Sequence, residues 1–173
     1  MMIYYKSKFA LNYAYSITKK AVIMNDFIVS LFGHREIRDL YRMEEGLVKA
    51  LKELIQAKPY IVFLIGRNGE FDEYAASIIK RTRREVKEEN SEIALVLPYT
   101  VSDIEYYEKY YDDVIIPEQA CRAHRKDAIT QRNRWMIERS DLIVCYVERE
   151  NGGAYDALRY AERLGKQIIN LAK

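Results

Sequence analysis

The chain has 173 residues, a formal net charge of +2 and 49% hydrophobic residues. This length fits one domain, and the hydrophobic fraction is sufficient for a core that needs no disulfides. The small charge does not favour nucleic acid as the main partner, because proteins that bind it usually carry a large or clustered basic excess. The two cysteines, Cys121 and Cys145, match no zinc or redox spacing. We therefore expect a cytoplasmic protein with no metal site and no bound cofactor.

The first 24 residues have the features of an appendage to the domain. Four lysines interrupt their apolar residues, so they resemble neither a signal peptide nor a transmembrane helix. Their apolar spacing favours neither helix nor strand: residues 11–17 alternate as in a strand, whereas Phe9, Tyr13 and Ile17 lie four apart as in a helix. We expect residues 1–24 to be the appendage, residues 25–173 to be a single domain, and no association with membranes.

From Met24 onward, short apolar runs alternate with longer helical patterns. In chain order the patterns predict a strand at 27–32, a helix at 40–54, a strand at 60–65, a helix at 71–86, strands at 93–97 and 113–116, a helix at 127–139, a strand at 142–147, a helix at 154–164 and a strand at 167–171. Gly165 is predicted to cap the last helix. Continuous apolar strands that alternate with amphipathic helices are typical of a parallel sheet covered on both faces. The sequence therefore predicts an α/β, Rossmann-like fold with a mainly parallel sheet of about six strands and helices on both faces.

Glycine occurs in three of the turns that lead from a predicted strand to a predicted helix. It permits a positive φ and lets a ligand come close, and the helix start behind it offers N–H groups and a positive dipole end that suit phosphate. No turn has the Gly-Lys-Ser/Thr of a nucleoside-triphosphate loop or the full dinucleotide fingerprint. Because the carboxyl ends of parallel strands meet at one edge of a sheet, we expect one pocket to be lined by Gly33, Gly66, Gly69, Gly152 and Gly153.

Polar side chains accompany these turns. His34 and Arg35 follow the first glycine, where they either meet a ligand phosphate or ribose or lie in a solvated loop. Asn68 lies between the two glycines of the second turn, and we include it among the ligand-binding candidates. Asp72 opens the next helix, where capping the helix or stabilising its dipole is a simpler role than a ligand contact.

The predicted helix at 127–139 carries two further candidates. Asn133 shares the buried stripe of this helix, and a buried amide needs partners, either backbone at the sheet edge or a ligand. Arg132 borders the same face and can reach an anion, whereas Trp135 is expected to point away and cover the flank of the helix. Tyrosines between residues 99 and 111 are open to three interpretations: stacking on a base, a dimer surface, or the cover of a loop.

Taken in order, six short segments resemble the SLOG superfamily, which includes the DNA-processing protein A domain and the Lonely-guy cytokinin-activating hydrolases. The likeness is greatest to a small bacterial branch related to YspA and YpsA. It extends from about residue 27 to 171, through Phe-Gly-His-Arg at 32–35, the segments 63–76, 97–99 and 140–143, Gln-Arg-Asn-Arg-Trp-Met at 131–136, and Gly-Gly-Ala-Tyr at 152–155. This resemblance implies a nucleotide-derived ligand over the glycine turns, with Arg132 and Asn133 in its pocket and Gly152 and Gly153 as a phosphate cradle.

The sequence departs from the hydrolase members of that superfamily at the last turn. Those members carry Pro-Gly-Gly-x-Gly-Thr-x-Glu-Glu, and residues 152–157 here contain no such glutamate pair. The nucleoside deoxyribosyltransferases have a similar last segment with a catalytic glutamate, and Ala157 stands at that position here. Glu70, Asp72 and Glu73 remain as candidates for a catalytic carboxylate, of which we favour Asp72 and Glu73. The sequence therefore favours a module that binds or senses a nucleotide, of the AMP or ADP-ribose type, over an N-glycosidic hydrolase or transferase. A homo-oligomer is compatible with both.

Overall fold

The computed structural model describes residues 26–87 and 89–173. In chain order the elements are β1 (Phe27–Gly33), α1 (Leu40–Ala57), β2 (Ile61–Ile65), α2 (Glu70–Val86), β3 (Ser91–Val96), α3 (Ile104–Tyr110), β4 (Asp113–Ile115), α4 (Glu118–Arg122), α5 (Ala128–Arg139), β5 (Leu142–Tyr146), α6 (Gly152–Arg163) and β6 (Gln167–Asn170). Among the helices of the described residues, none has the length and hydrophobicity needed to cross a bilayer. The expected appendage at 1–24 lies outside the described residues, so this division of the chain stays a prediction.

The strands of the described residues form one six-stranded parallel sheet, in the order β4–β3–β2–β1–β5–β6. β5 pairs with both β1 and β6, and all of its residues are buried. The predicted Rossmann-like α/β fold is therefore confirmed. β2, β3 and β4 follow one another on one side of β1, and β5 and β6 lie on its other side, so the strand order reverses between β1 and β5. Sheets of this kind bind ligands outside the carboxyl ends of the strands at such a reversal.

Helices cover both faces of the sheet. On one face, α1 and α2 contribute Leu47 and Phe71 to a core cluster that includes Leu31 of β1. On the other face, α5 and α6 contribute Met136 and Leu158 to a cluster that includes Phe32. Successive strand residues point to opposite faces, so the neighbours Leu31 and Phe32 serve two different cores.

Local departures from the predicted pattern have simple causes. The patterns do not predict α3 and α4. α3 has no fully buried residue and only Ile104 and Tyr107 partly buried against a small core cluster, and α4 has only five residues. The prediction for Trp135 is wrong: it is buried in the second core, because the buried stripe of α5 runs through Arg132, Trp135 and Met136. The predicted cap at Gly165 is confirmed by its φ of 65°, two residues after α6 ends at Arg163.

Candidate functional site

The turns that follow β1, β2 and β5 lie side by side at the carboxyl edge of the sheet, because these strands are parallel neighbours. We call them the first, second and third turns, at residues 34–39, 66–69 and 147–151. The predicted site residues lie in these turns, at the end of β1, or in the first two turns of α2, α5 and α6. The glycines among them have different settings: three face atoms of the chain itself and two face open space.

Two of the glycines permit close packing within the edge. A Cβ at Gly33 would lie 2.1 Å from Cγ of Phe71, whose ring is fully buried. A Cβ at Gly69 would lie 2.6 Å from the Cα of Arg35 in the first turn. The first glycine therefore lets β1 approach α2, and the second lets the backbones of two turns approach each other.

Hydrogen bonds hold the first and second turns together. The N–H of Glu70 donates to the carbonyl of Arg35 at 3.0 Å. The Glu70 side chain returns to the same turn, where its Oε2 accepts a hydrogen bond of 3.0 Å from the N–H of Ile37. Arg35 as a residue is exposed, so its backbone has the structural role and its guanidinium is accessible from solvent.

Gly66 leaves the space in which Asp72 and Arg132 approach each other. A Cβ at Gly66 would lie 2.3 Å from Nη1 of Arg132 and 2.7 Å from Oδ2 of Asp72. The same aspartate oxygen accepts a hydrogen bond of 2.7 Å from the N–H of Asn68. Arg132 is only 4% exposed, and its Nη1 donates to the carbonyl of Val96 at 3.3 Å. The second turn thus encloses a carboxyl group beside a buried guanidinium.

Burial dominates the electrostatics of this pair. It raises the pKa of the Asp72 carboxyl above its ordinary value, although the Arg132 charge and the Asn68 N–H act in the opposite direction. Burial also lowers the pKa of the Arg132 guanidinium, and the charge of Asp72 opposes this change. Arginine nevertheless stays protonated in proteins. Asp72 is therefore the member of the pair whose protonation can change.

His34 connects the first turn to the third. Its side chain is buried, and its Nε2 accepts a hydrogen bond of 3.1 Å from the N–H of Arg149. Burial and, next, the charge of Arg149 lower the pKa of the imidazole. Because Nε2 is an acceptor, the ring is neutral and carries its proton on Nδ1. The buried ring therefore has a partner within the chain, and a contact of His34 with a ligand stays a prediction.

The third turn leads into open space. Gly152 has a φ of 82°, in the left-handed region that favours glycine, and a Cβ at Gly152 or Gly153 would meet no atom within 4 Å. Asn151 precedes α6 without a side-chain hydrogen bond to it, so that side chain does not satisfy the first N–H groups of the helix. Gly153 and Asn133 line a groove of about 500 Å³ between α5 and α6.

Buried polar atoms without a hydrogen-bond partner gather at this edge. Among the described residues, the nitrogens of this kind are Asn68 Nδ2, Arg132 Nε and Arg149 Nε, and Asn133 adds its Oδ1. The other such atoms in the described part are oxygens, on Thr82, Asn90 and Ser91. A buried polar group without a hydrogen-bond partner destabilises the fold by about 1–3 kcal/mol. A ligand with hydrogen-bond acceptors would satisfy the three unpartnered N–H donors. Sequence reasoning missed Arg149, whose only signal is a basic residue in a turn after a strand.

The remaining candidates lie around this edge. Glu73 is exposed on α2. The ring of Tyr107 contacts its neighbours along α3, and its hydroxyl accepts a hydrogen bond from Arg67 of the second turn. Tyr106 of the same cluster is 64% exposed. Within the described residues, no three histidine, cysteine or carboxylate side chains gather as a metal site would require.

Comparisons with known proteins show the fold. The chain matches no model of a protein family, and no curated protein matches it. It is similar to the solved structure of DNA processing protein A (DprA) from Streptococcus pneumoniae, with a TM-score of 0.56 and 12% identity, over 83% of this chain and 50% of that chain. It is also similar to the molybdenum cofactor carrier protein MCP from Chlamydomonas reinhardtii, with a TM-score of 0.50 and 13% identity, over 83% of this chain and 74% of that chain. The chain spans half of the DprA structure, and it shares the Rossmann-like fold of both proteins.

Proposed function

We propose that the protein binds a nucleotide or nucleotide-derived ligand, of the AMP or ADP-ribose type, at the carboxyl edge of its sheet. The observation that supports this most directly is the set of buried N–H donors without acceptors on Asn68, Arg132 and Arg149. A phosphate group offers several strong acceptors in a small volume, and its hydrogen bonds to guanidinium are charge-assisted. An acceptor-rich anion is the ligand chemistry that these donors need.

Contacts between the turns connect the three donors. Arg149 of the third turn is hydrogen-bonded to His34, and Arg35, the next residue, lies against Gly69 of the second turn. The second turn also contains Asn68 and contacts Arg132. The donors therefore belong to one continuous part of the edge. The open start of α6 beside it offers further N–H groups, which suit a second phosphate.

The nucleotide part of the proposal rests on the resemblance to the SLOG superfamily, to which we propose the chain belongs, and on the fold shared with DprA. MCP has the same fold and is named a cofactor carrier, which is consistent with binding without turnover. We also propose a cytoplasmic location and a small-molecule ligand as the main partner.

A thermal-shift panel tests the proposal. Purified full-length protein is heated with AMP, NAD, ADP-ribose or a cyclic nucleotide, with adenosine as the unphosphorylated control. A ligand at 100 times its dissociation constant stabilises the folded state by about 2.7 kcal/mol. At least one phosphorylated compound should raise the melting temperature, and adenosine should raise it less. The proposed phosphate site would be refuted if adenosine raised the melting temperature as much as the phosphorylated compounds, or if no compound raised it at high concentration.

The alternative function, cleavage or transfer at an N-glycosidic bond, has one feature in its favour. Asp72 is a carboxyl with a raised pKa beside the proposed phosphate site, as a catalytic acid can be. Against it, Ala157 occupies the position of the glutamate found in deoxyribosyltransferases, and Asp156 is exposed. We predict no appreciable release of base from nucleoside monophosphates, measured by chromatography. Turnover that disappears in Asp72→Asn would establish the enzyme instead.

A further inference from the structure

Arg132 and Asp72 lie beside the same glycine: a Cβ at Gly66 would be 2.3 Å from Nη1 of Arg132 and 2.7 Å from Oδ2 of Asp72. One guanidinium nitrogen, Nη1, already donates to Val96, whereas Nε has no partner. We propose that an anionic ligand takes over the neutralising role of Asp72 beside Arg132, and that Asp72 then takes up a proton from the solvent. This inference rests on the proposed function, because it concerns the phosphate subsite of that ligand.

The charges around Asp72 explain why its protonation would change when an anion binds. The cation that faces Asp72 is Arg132 from α5. Besides burial, Glu73, on the same helix as Asp72, raises the pKa of Asp72 as a like charge. Tyr111, after α3, is a neutral phenol whose own pKa is raised by burial and in part by the charge of Asp72. The Asn68 N–H is the hydrogen-bond donor to its carboxylate. A second anion at Arg132 places two negative groups beside one buried guanidinium, and like charges that lie so close favour protonation of one of them. Burial already raises the pKa of Asp72, so less free energy is needed.

The proton balance is simple. At a pH above the pKa of Asp72 in the free protein, Asp72 is a carboxylate before binding and the ligand phosphate is in water. After binding, the phosphate oxygen accepts from Arg132, and the Asp72 oxygen carries a proton that has come from the buffer. By linkage, a reaction that takes up a proton weakens as the pH rises. Ligand affinity should therefore fall with pH above the pKa that Asp72 has in the free protein.

Calorimetry measures the proton directly. AMP is titrated into the full-length protein in two buffers of different ionisation enthalpy, from about pH 5.5 to 8.5, and the difference in observed heat gives the protons exchanged. Asp72→Asn removes the proposed acceptor. Glu53→Gln is the control, because it neutralises an exposed carboxylate near the end of α1, away from the carboxyl edge of the sheet. AMP brings its own titrating phosphate to every variant, so the difference between variants belongs to the protein.

Wild type and Glu53→Gln should each take up as much as one proton per AMP through Asp72. This uptake should be absent in Asp72→Asn. The last variant should also bind AMP with a weaker dependence on pH. If Asp72→Asn exchanges the same number of protons as wild type at every pH while AMP still binds, the coupling is overturned and the ligand proposal stands. If wild type binds neither AMP nor any compound of the thermal-shift panel, the proposed function fails and this inference fails with it.

Discussion

Replacing Gly33 with alanine should destabilise the domain, whereas the same replacement at Gly153 should not. The new Cβ at residue 33 would lie 2.1 Å from Cγ and 2.5 Å from Cβ of Phe71. Because the Cβ of Phe71 is fixed to the backbone of α2, rotation of its ring does not relieve this clash. Overpacking of this kind costs about 1–3 kcal/mol. For a domain of this size that lowers the melting temperature by roughly 2–12 °C.

Gly153 is the matched control for this experiment. Its added Cβ would meet no atom within 4 Å, and its φ is not positive. Gly153 is the second residue of α6, where the preference of helix interiors for alanine has little effect, so Gly153→Ala should be about as stable as wild type. Urea unfolding of the three proteins, with thermal scans beside it, measures the difference. A Gly33→Ala protein that is as stable as wild type would refute the close approach of β1 and α2.

Three further predictions concern pH and chain length. The lowered pKa of His34 means that its neutral form stabilises the fold. This stability is complete above the ordinary pKa of 6.5 and is lost as the pH falls. The free energy of unfolding in urea should therefore differ more between about pH 7.5 and about pH 5.5 in wild type than in His34→Gln. The raised pKa of Asp72 has the opposite sign: stability linked to it falls as the pH rises above 3.8, and Asp72→Asn should flatten that part of the curve. Deletion of residues 1–23 should leave cooperative unfolding and AMP binding intact, and loss of either would show that the segment belongs to the domain.

The fold could be read from the sequence because its strands are continuous apolar runs. Residues 142–147 are apolar throughout, and β5 is found there, buried between two neighbours. The pattern fails where burial is slight: α3 has no fully buried residue, and its two partly buried residues, Ile104 and Tyr107, lie among exposed tyrosines. It also misplaced Trp135, because an arginine, Arg132, replaces an apolar residue in the buried stripe of α5.

The site was only partly predictable, because its contacts join distant parts of the chain. In the sequence, Gly33 and Gly153 look equivalent, because both are glycines beside a strand-to-helix turn. In the structure, Phe71 occupies the space beside Gly33, whereas Gly153 faces open space. The hydrogen bond between His34 and Arg149 joins residues 115 apart in sequence. Sequence patterns report which residues follow a strand, whereas the neighbours across the edge are set by how the turns pack.

The central claim is that a phosphate is bound beside Arg132, and a titration tests it most directly. AMP and adenosine are titrated calorimetrically into wild type and into a double variant, Asp72→Asn with Arg132→Gln. Changing both residues together avoids leaving one buried charge unpaired, which would destabilise the fold itself. Loss of charged hydrogen bonds should weaken AMP binding about ten- to a hundredfold and leave adenosine nearly unchanged. A folded double variant that binds AMP as tightly as wild type, or that loses both ligands equally, would contradict the account.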